Sequence, residues 1–168
     1  MSVLTKNEIR KLIDEKSMVM NCIDLEKQLQ PNGIDLTLNT ILTPTGYGFI
    51  GIDTKDVPKY QHYYLNNECL FKLPFGMYIF NINETINLPS DICAITIQRS
   101  SLMRSGVNTN IGFWDSGYLG KGYSTLNVMN PNGFHIEKNA SIIQMIFLKN
   151  TIPTELYNGS YKGEGVED

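Results

Sequence analysis

Residues 92–106, ICAITIQRSSLMRSG, decide how this chain of 168 residues folds. Apolar residues recur at every second position from Cys93 to Ile97, which is the period of a β-strand with one buried face. The strand leads directly into two arginines, three serines and a glycine. Guanidinium groups, hydroxyls and a glycine-exposed backbone bind polyanions such as a phosphate chain. The stretch therefore predicts a strand that delivers a phosphate-binding segment at its end.

Three other segments share this pattern. Residues 34–38 and 75–82 alternate between apolar and polar positions, and residues 142–148, IIQMIFL, read as a buried strand. Proline, glycine and asparagine clusters lie between the segments as turn signals. Many short strands without a second long helix predict an all-β fold, a sandwich or a barrel-like architecture. Residues 44–62 have no clear period, and we interpret them as an extended hairpin or loop.

The chain begins with a pattern typical of a short helix. Thr5 and Glu8 stand at capping-box spacing, and Leu4 and Ile9 stand at the spacing of a hydrophobic staple. The apolar positions from Ile9 to Ile13 then share one helical face. We interpret this element as a packing helix.

Composition excludes several classes of protein. The net charge of −3 and the pI near 5.4 argue against nucleic acid as a partner. The three cysteines form no Cys-x-x-Cys pair, so neither a zinc site nor a disulfide scaffold is indicated. His135 and Glu137 match half of a zinc-deaminase signature whose other half is missing, and we read His135 as a solvated turn residue. No membrane span or signal peptide is evident, and we expect a cytoplasmic protein.

Two carboxylates have alternative interpretations. Asp115 follows Phe113 and Trp114, and a partly desolvated carboxylate near arginines is costly unless it is functional or well paired. A structural ion pair with Arg99 or Arg104 is the simpler alternative. Asp35 is either a turn-adjacent acid at a strand edge or a group that contacts Mg²⁺ through its waters.

Four motifs together resemble one superfamily. QPNGIDLTL (30–38), RSSLMRSG (99–106), WDSGYLG (114–120) and IIQMIF (142–147) occur in the order of the motifs of dUTPases and dCTP deaminases, and the chain most resembles the archaeal-type dUTPases. The resemblance implies a distorted β-barrel or jelly-roll-like (β-clip) domain over residues 1–156. It also implies a tail, residues 157–168, that closes over the nucleotide. A homotrimer with shared active sites and Mg²⁺ held mainly by the triphosphate are implied as well.

The resemblance also assigns roles to individual residues. Asp115 matches the acid that holds the deoxyribose 3′-hydroxyl and orients water, and Tyr118 resembles the ring that excludes a 2′-hydroxyl. Asp35 and Arg99 join Asp115 as implied catalytic residues, with Asp35 contacting Mg²⁺ through water. Residues 107–115 resemble the hairpin that receives the pyrimidine. The implied substrate-binding residues are Ser100, Ser101, Arg104, Asn110, Tyr118, Gln144, Tyr161 and Lys162.

The strand after Asp115 distinguishes two activities. Members that deaminate dCTP carry a glutamate there, whereas no carboxylate occurs here between Asp115 and Glu137. Thr125 or Asn127 takes that place, and neither shuttles a proton at neutral pH. We therefore expect hydrolysis of dUTP to dUMP and diphosphate. A dCTP deaminase, a bifunctional enzyme, and a non-catalytic nucleotide- or protein-binding member are the alternatives.

The tail departs from the typical pattern at one position. Trimeric dUTPases carry an arginine in a glycine-rich run near the end of the chain, where this chain has Lys162. From Tyr157 onward the tail is too polar to be core, so it is either frayed or folded over a ligand.

Overall fold

A computed structural model describes residues 2–66, 69–110 and 112–166. The helices are α1 (Lys6–Lys16), α2 (Leu25–Gln28) and α3 (Ser100–Arg104). The strands are β1 (Ser2–Val3), β2 (Val19–Met20), β3 (Leu29–Gln30), β4 (Gly33–Thr45), β5 (Phe49–Ile50), β6 (Lys55–Asp56), β7 (Lys59–Tyr63), β8 (Leu70–Leu73), β9 (Gly76–Ile82), β10 (Thr85–Asn87), β11 (Ile92–Gln98), β12 (Val107–Thr109), β13 (Gly112–Trp114), β14 (Leu119–Gly120), β15 (Tyr123–Val128), β16 (Phe134–Glu137) and β17 (Ser141–Lys149). The predicted all-β class with one sizeable N-terminal helix is confirmed.

Helix α1 begins and ends at the residues that local chemistry favours. The Glu8 carboxylate accepts from the Thr5 backbone N–H at 2.8 Å and from the Thr5 hydroxyl at 2.7 Å. Leu4 and Ile9 are both buried, as the staple predicts. The helix ends at Ser17, whose left-handed backbone turns the chain into the sheet. The apolar face of α1 packs on the core, which confirms its interpretation as a packing helix.

The main sheet is antiparallel and runs in the order β12-β15-β9-β4-β17-β11-β13, with β1, β3 and β7 joining off this path. Strand β4 lies in the middle of the order. Its first half pairs with β17 and its second half with β9 and β7. Register shifts after Leu38 and between Ser141 and Ile143 mark bulges, which increase local twist. The sheet therefore curls into a half-barrel around the apolar core.

Of the two interpretations of residues 44–62, an extended hairpin or a loop, the hairpin is observed. Strand β4 continues to Thr45, β5 pairs with β6, and β7 returns along β4. The interpretation of His135 as a turn residue is wrong. His135 is exposed, but it lies on β16 and not in the preceding turn. Within the described part of the chain, every helix is too short or too polar to cross a bilayer.

Candidate active site

A cavity of about 300 Å³ opens beside the end of β13. Its floor is apolar, with Ile82 and Ile143 from the sheet. Polar and aromatic side chains form its walls, among them Asp115, Tyr118, Lys121, Tyr157, Tyr161 and Glu164. An apolar pocket with a few convergent polar groups is the usual form of a small-molecule site.

The Asp115 carboxylate stands at the rim of this cavity. It is exposed and forms no ion pair within residues 2–66, 69–110 and 112–166, so the alternative of a structural pair with Arg99 or Arg104 is wrong. The expected partial desolvation is also wrong, because β13 ends at Trp114 and leaves the next residue at the surface. The Asp115 side chain is thus available to a ligand.

Tyr118 forms an aromatic wall of the cavity. Its ring meets Trp114 edge-on at 4.9 Å between centroids and lies 5.8 Å from the ring of Tyr157. Burial raises the pKa of the Tyr118 phenol, and nearby Glu164 raises it further, so the hydroxyl stays protonated at neutral pH. The Tyr118 ring is held on two sides and offers a rigid surface to a ligand.

Residues 157–166, the described part of the tail, contribute Tyr157, Tyr161 and Glu164 to the cavity wall, and residues 167–168 lie outside the described residues. Backbone hydrogen bonds attach the tail to the loop around β14, from Gly163 N to Leu119 O at 2.7 Å and from Lys121 N to Glu164 O at 2.9 Å. The Lys55 ammonium of β6 lies 4.7 Å above the centre of the Tyr161 ring. Residues 157–166 are therefore docked on the domain and not frayed. Lys162 is exposed, and the Tyr161 ring faces the cavity.

Glu164 is a cavity residue that sequence reasoning missed. Glu164 lines the cavity, and burial raises the pKa of its carboxyl group. The strand predicted to lack a carboxylate does lack one, but the tail brings Glu164 to the same cavity. Only the fold shows this proximity, since more than forty residues separate Glu164 from Asp115 along the chain.

A second cavity of about 510 Å³ adjoins the first and shares Tyr161 and Glu164 with it. Asn110, which follows β12, lines this second cavity together with Thr125 of β15. The hairpin expected over residues 107–115 is wrong, because β12 pairs with β15 and β13 pairs with β11 in the described chain. Thr125 and Asn127 are the two candidates for the place of the deaminases' glutamate. Of these two residues, Thr125 lines the second cavity, and Asn127 lines neither cavity. The Thr125 hydroxyl is buried and has no hydrogen-bond partner in the described chain.

A basic cluster lies elsewhere, where β11 ends. Arg99 precedes α3, and its guanidinium Nε lies 3.2 Å from Asp35 Oδ2 while Nη1 donates to the Ser141 carbonyl at 3.3 Å. Gln144 of β17 pairs with Asp35 of β4 and with Ile97 of β11, so it lies between the two strands that carry the ion pair. The exposed members of the cluster are Ser100, Ser101 and Arg104.

Asp35 lies near the start of β4, beside the turn, but its side chain is buried and forms an ion pair with Arg99. Burial raises the pKa of the Asp35 carboxyl, and the charge of Arg99 partly opposes the rise. Within residues 2–66, 69–110 and 112–166, no group of three or more His, Cys, Asp or Glu side chains is placed to hold a metal ion. A single carboxylate beside a basic cluster fits Mg²⁺ only where substrate phosphates supply most of its ligands.

The sequence matches those of known proteins along most of its length. The family model described as dCTP deaminase-like matches residues 3–150. The chain belongs to the dCTP deaminase-like family. Relatives named probable deoxyuridine 5′-triphosphate nucleotidohydrolase are 37% identical in Archaeoglobus fulgidus, over 99% of both chains, and 40% identical in Methanosarcina mazei, over 98% of both chains.

A solved structure confirms the fold of this dCTP deaminase-like chain. The 2′-deoxycytidine 5′-triphosphate deaminase of Agrobacterium tumefaciens matches with a TM-score of 0.67 at 20% identity. The match covers 86% of this chain and 48% of that deaminase chain, so this chain spans about half of it. The expected β-clip fold, a distorted half-barrel, is thereby confirmed.

The site residues that the resemblance implied fall into two groups, which lie apart within one chain. Trp114 pairs with Ala94, which places Asp115 level with Cys93 of β11. Arg99 follows six residues further along, so its backbone lies about 20 Å from that of Asp115 at roughly 3.3 Å per residue. The fold therefore brings together Asp35, Arg99 and Gln144 in one place and Asp115, Tyr118 and Tyr161 in another.

Proposed function

We propose that this chain is a dUTP diphosphatase, which hydrolyses dUTP to dUMP and diphosphate. One observation carries the proposal: Asp115 at the first cavity is unpaired within the described chain, while β15 carries no carboxylate and places Thr125 at the adjoining cavity. A free carboxylate at the rim suits the orientation of water, and a threonine does not suit proton transfer at a pyrimidine ring. The names of the archaeal relatives support the same activity.

Each group of residues takes one part of the nucleotide. Tyr118 packs under the deoxyribose and leaves no room for a 2′-hydroxyl, and Asn110 lies in the segment between β12 and β13, which receives the base. Asp115 binds the 3′-hydroxyl and orients the water that attacks the α-phosphorus in line with the leaving diphosphate. The phosphate-binding residues are Arg99, Ser100, Ser101, Arg104 and Gln144.

Magnesium completes the proposed site. Asp35 would help to hold Mg²⁺ through water, together with the triphosphate. When bound, the ion would supply positive charge that stabilises the leaving diphosphate. The guanidinium of Arg99 serves the same end from the protein side, because its donors are oriented by Asp35 and Ser141 before substrate arrives.

The separation of the two groups supports a site shared between copies. An orienting base acts within hydrogen-bond reach of its water, and a backbone separation of about 20 Å places Asp115 and Arg99 of one chain too far apart for that. We propose a homotrimer in which Arg99 of one copy meets Asp115 of the next. A closed ring of three copies gives every site the same pair of surfaces.

The tail, residues 157–168, closes over the bound nucleotide in this proposal. Its support is the position of Tyr157 and Tyr161 in the cavity wall and the backbone bonds from Gly163 and to Glu164. Closure excludes bulk water from the reacting phosphate.

The three cysteines are free, which accords with a reducing cytoplasm.

One observation favours a second function. Glu164 lines both cavities, and burial raises the pKa of its carboxyl group, which is an acid of the kind that β15 lacks. Deamination of dCTP to dUTP and ammonia is therefore the second candidate.

A product assay separates the candidates. The purified protein is incubated with Mg²⁺ and either dUTP or dCTP, and diphosphate and ammonia are measured, with EDTA as a control for the metal. We expect diphosphate from dUTP and no ammonia from dCTP. Ammonia would establish the deaminase instead, and the absence of any product together with nucleotide binding would indicate a non-catalytic member of the fold.

Mixing two inactive variants tests the shared site. Each site needs an intact Arg99 from one copy and an intact Asp115 from its neighbour. Trimers assembled at random from equal amounts of Arg99→Ala and Asp115→Asn chains contain such a pair in about one quarter of their sites. Activity near that fraction of the wild-type value is expected after joint refolding, whereas no recovery would place both residues in one chain's site.

A further inference from the structure

Strand β4 has a gap in its pairing beside Asp35. On the side opposite β17, β3 pairs with β4 as far as Ile34, and β9 begins to pair at Leu38. Among the described residues, no strand pairs with β4 between Asp35 and Thr37 on that side. The backbone carbonyl of Asp35 and the backbone N–H of Thr37 point into this gap, because alternate residues of a strand direct their polar groups to the same edge.

Two buried side chains fill the gap. Gln28 of α2 donates through Nε2 to the Asp35 carbonyl at 2.8 Å, and Glu84 Oε2 accepts from the Thr37 backbone N–H at 2.9 Å. The two side chains also bond to each other, from Gln28 Nε2 to Glu84 Oε1 at 2.7 Å. With the Asn83 backbone N–H, which donates to the Thr37 carbonyl at 3.0 Å, they supply hydrogen bonds that a neighbouring strand would make, since buried backbone groups need partners.

Glu84 is enclosed by donors. It is fully buried, and besides Gln28 and the Thr37 N–H it contacts the Thr37 hydroxyl at 2.6 Å. That hydroxyl already accepts from Asn83 Nδ2 at 2.8 Å, so its own hydrogen is directed to Glu84. Burial raises the pKa of Glu84, while the bonds from Thr37 and Gln28 oppose the rise. A carboxylate, which only accepts, matches all three donors.

The orientation of Gln28 is not free to adapt. Its Oε1 accepts from the Asp24 backbone N–H at 2.9 Å, while its Nε2 serves Asp35 and Glu84. A flipped amide would set a donor against a donor at Asp24 and an acceptor against an acceptor at Asp35. A change at Glu84 is therefore transmitted to the backbone of Asp35 and cannot be absorbed at Gln28.

We propose that Glu84 is a positioning residue for the Asp35–Arg99 pair. With Gln28 it replaces the missing strand and holds the backbone of β4 in place on both sides of Leu36, so that the Asp35 carboxylate meets Arg99 Nε at 3.2 Å. Glu84 contacts neither Arg99 nor the cavities beside Asp115. The inference rests on the proposed function insofar as Asp35 and Arg99 serve phosphate binding and Mg²⁺.

A double-mutant cycle tests the role of Glu84. Glu84→Gln keeps the size of the side chain but sets an amide N–H₂ against a donor. The variant should lose about tenfold to a hundredfold in kcat for dUTP. In an Asp35→Asn background the same change should cost less than about threefold, because the residue through which Glu84 acts is already altered. Equal losses in both backgrounds, or no loss in either, would overturn the proposal.

A matched control separates positioning from stability. Asn81 is also buried and also bonds to β4, accepting from the Thr40 N–H at 3.2 Å and the Thr40 hydroxyl at 2.7 Å. Asn81→Ala should lower the melting temperature, as Glu84→Gln does, while kcat stays within about twofold of wild type. If Glu84→Gln does not fold, Gln28→Met enters the same cycle, since it removes the donor shared by Asp35 and Glu84.

A measurement without substrate makes the outcome independent of the proposed reaction. The Nε–H resonance of Arg99 in ¹⁵N-edited NMR is assigned by its absence in Arg99→Lys. Its chemical shift reports the ion pair of Arg99 with Asp35. We expect this resonance to move in Glu84→Gln in the direction seen for Asp35→Asn, and to stay in place in Asn81→Ala. An unmoved resonance in Glu84→Gln would overturn the inference. A wild-type protein that leaves dUTP intact would instead overturn only the proposed function.

Discussion

Arg99 and Asp35 form an ion pair with 3.2 Å between Nε and Oδ2, although more than sixty residues separate them along the chain. The pair joins the end of β11 to the beginning of β4 across β17. It leaves the outer face of the guanidinium free for an anion, since the contacts to Asp35 and Ser141 use Nε and Nη1. The orientation of Arg99 is therefore set by the fold before any ligand binds.

Arg99→Lys should reduce kcat/KM for dUTP by roughly a hundredfold, because an ammonium cannot serve Asp35, Ser141 and a phosphate with the geometry of a planar fork. Steady-state kinetics with Mg²⁺ would measure the loss. Arg10→Lys is the matched control: Arg10 pairs with Glu26 at 2.7 Å on the outer face of α1, and its replacement should leave kcat/KM unchanged. Equal effects of the two substitutions would remove Arg99 from phosphate binding.

Asp115→Asn should abolish turnover while nucleotide affinity stays within roughly tenfold of wild type, because the amide cannot orient and activate water but still bonds to a hydroxyl. Single-turnover kinetics and calorimetric titration with a non-hydrolysable dUTP analogue would measure the two quantities. Asp14→Asn, an exposed change on α1, serves as the control. Persistent turnover in Asp115→Asn would show that another group orients the water.

Tyr118→Ala should narrow the preference for dUTP over UTP, since removal of the ring opens space beneath the sugar for a 2′-hydroxyl. The ratio of kcat/KM for the two nucleotides is the measurement. Tyr118→Phe keeps the ring contacts with Trp114 and Tyr157 and should keep the preference. Unchanged discrimination in Tyr118→Ala would exclude the ring from sugar selection.

Stability should depend on pH through Asp35. Burial raises the pKa of Asp35 in the folded chain, so the folded state binds the proton more tightly than the unfolded state. Its contribution to the free energy of unfolding is fully present below about pH 4 and is lost as the pH rises through the folded pKa. Asp35→Asn removes this titration. The free energy of unfolding of the variant, relative to wild type, should therefore increase with pH.

Urea denaturation of both proteins at several pH values between about 4 and 7 measures that difference. A relative stability that falls with rising pH would mean that the ion pair with Arg99 outweighs burial and that the pKa of Asp35 is lowered. Burial also raises the pKa of Glu84. Wild type and variant must therefore both retain Glu84, so that the difference in their stability reports Asp35 alone.

Features that depend on neighbouring residues were predictable from the sequence. The capping box of Thr5 and Glu8 spans four residues, and the alternation from Cys93 to Ile97 records which face of one strand is buried. The motif resemblance also led to the family, because the order of motifs along a chain survives without knowledge of their distances in space. The all-β fold, the N-terminal helix and the family followed from these patterns.

Features that depend on register between distant strands were decided only by the tertiary structure. The pairing of Arg99 with Asp35 instead of Asp115 and the arrival of Glu164 at the cavity follow from which strands pair and where the tail docks. A shift of one residue in register turns every side chain of a strand to the opposite face, and no local pattern encodes such a shift between elements far apart in the chain. Hence the motifs sufficed to predict a phosphate-binding segment and a carboxylate, whereas their separation by about 20 Å within one chain emerged only from the folded sheet.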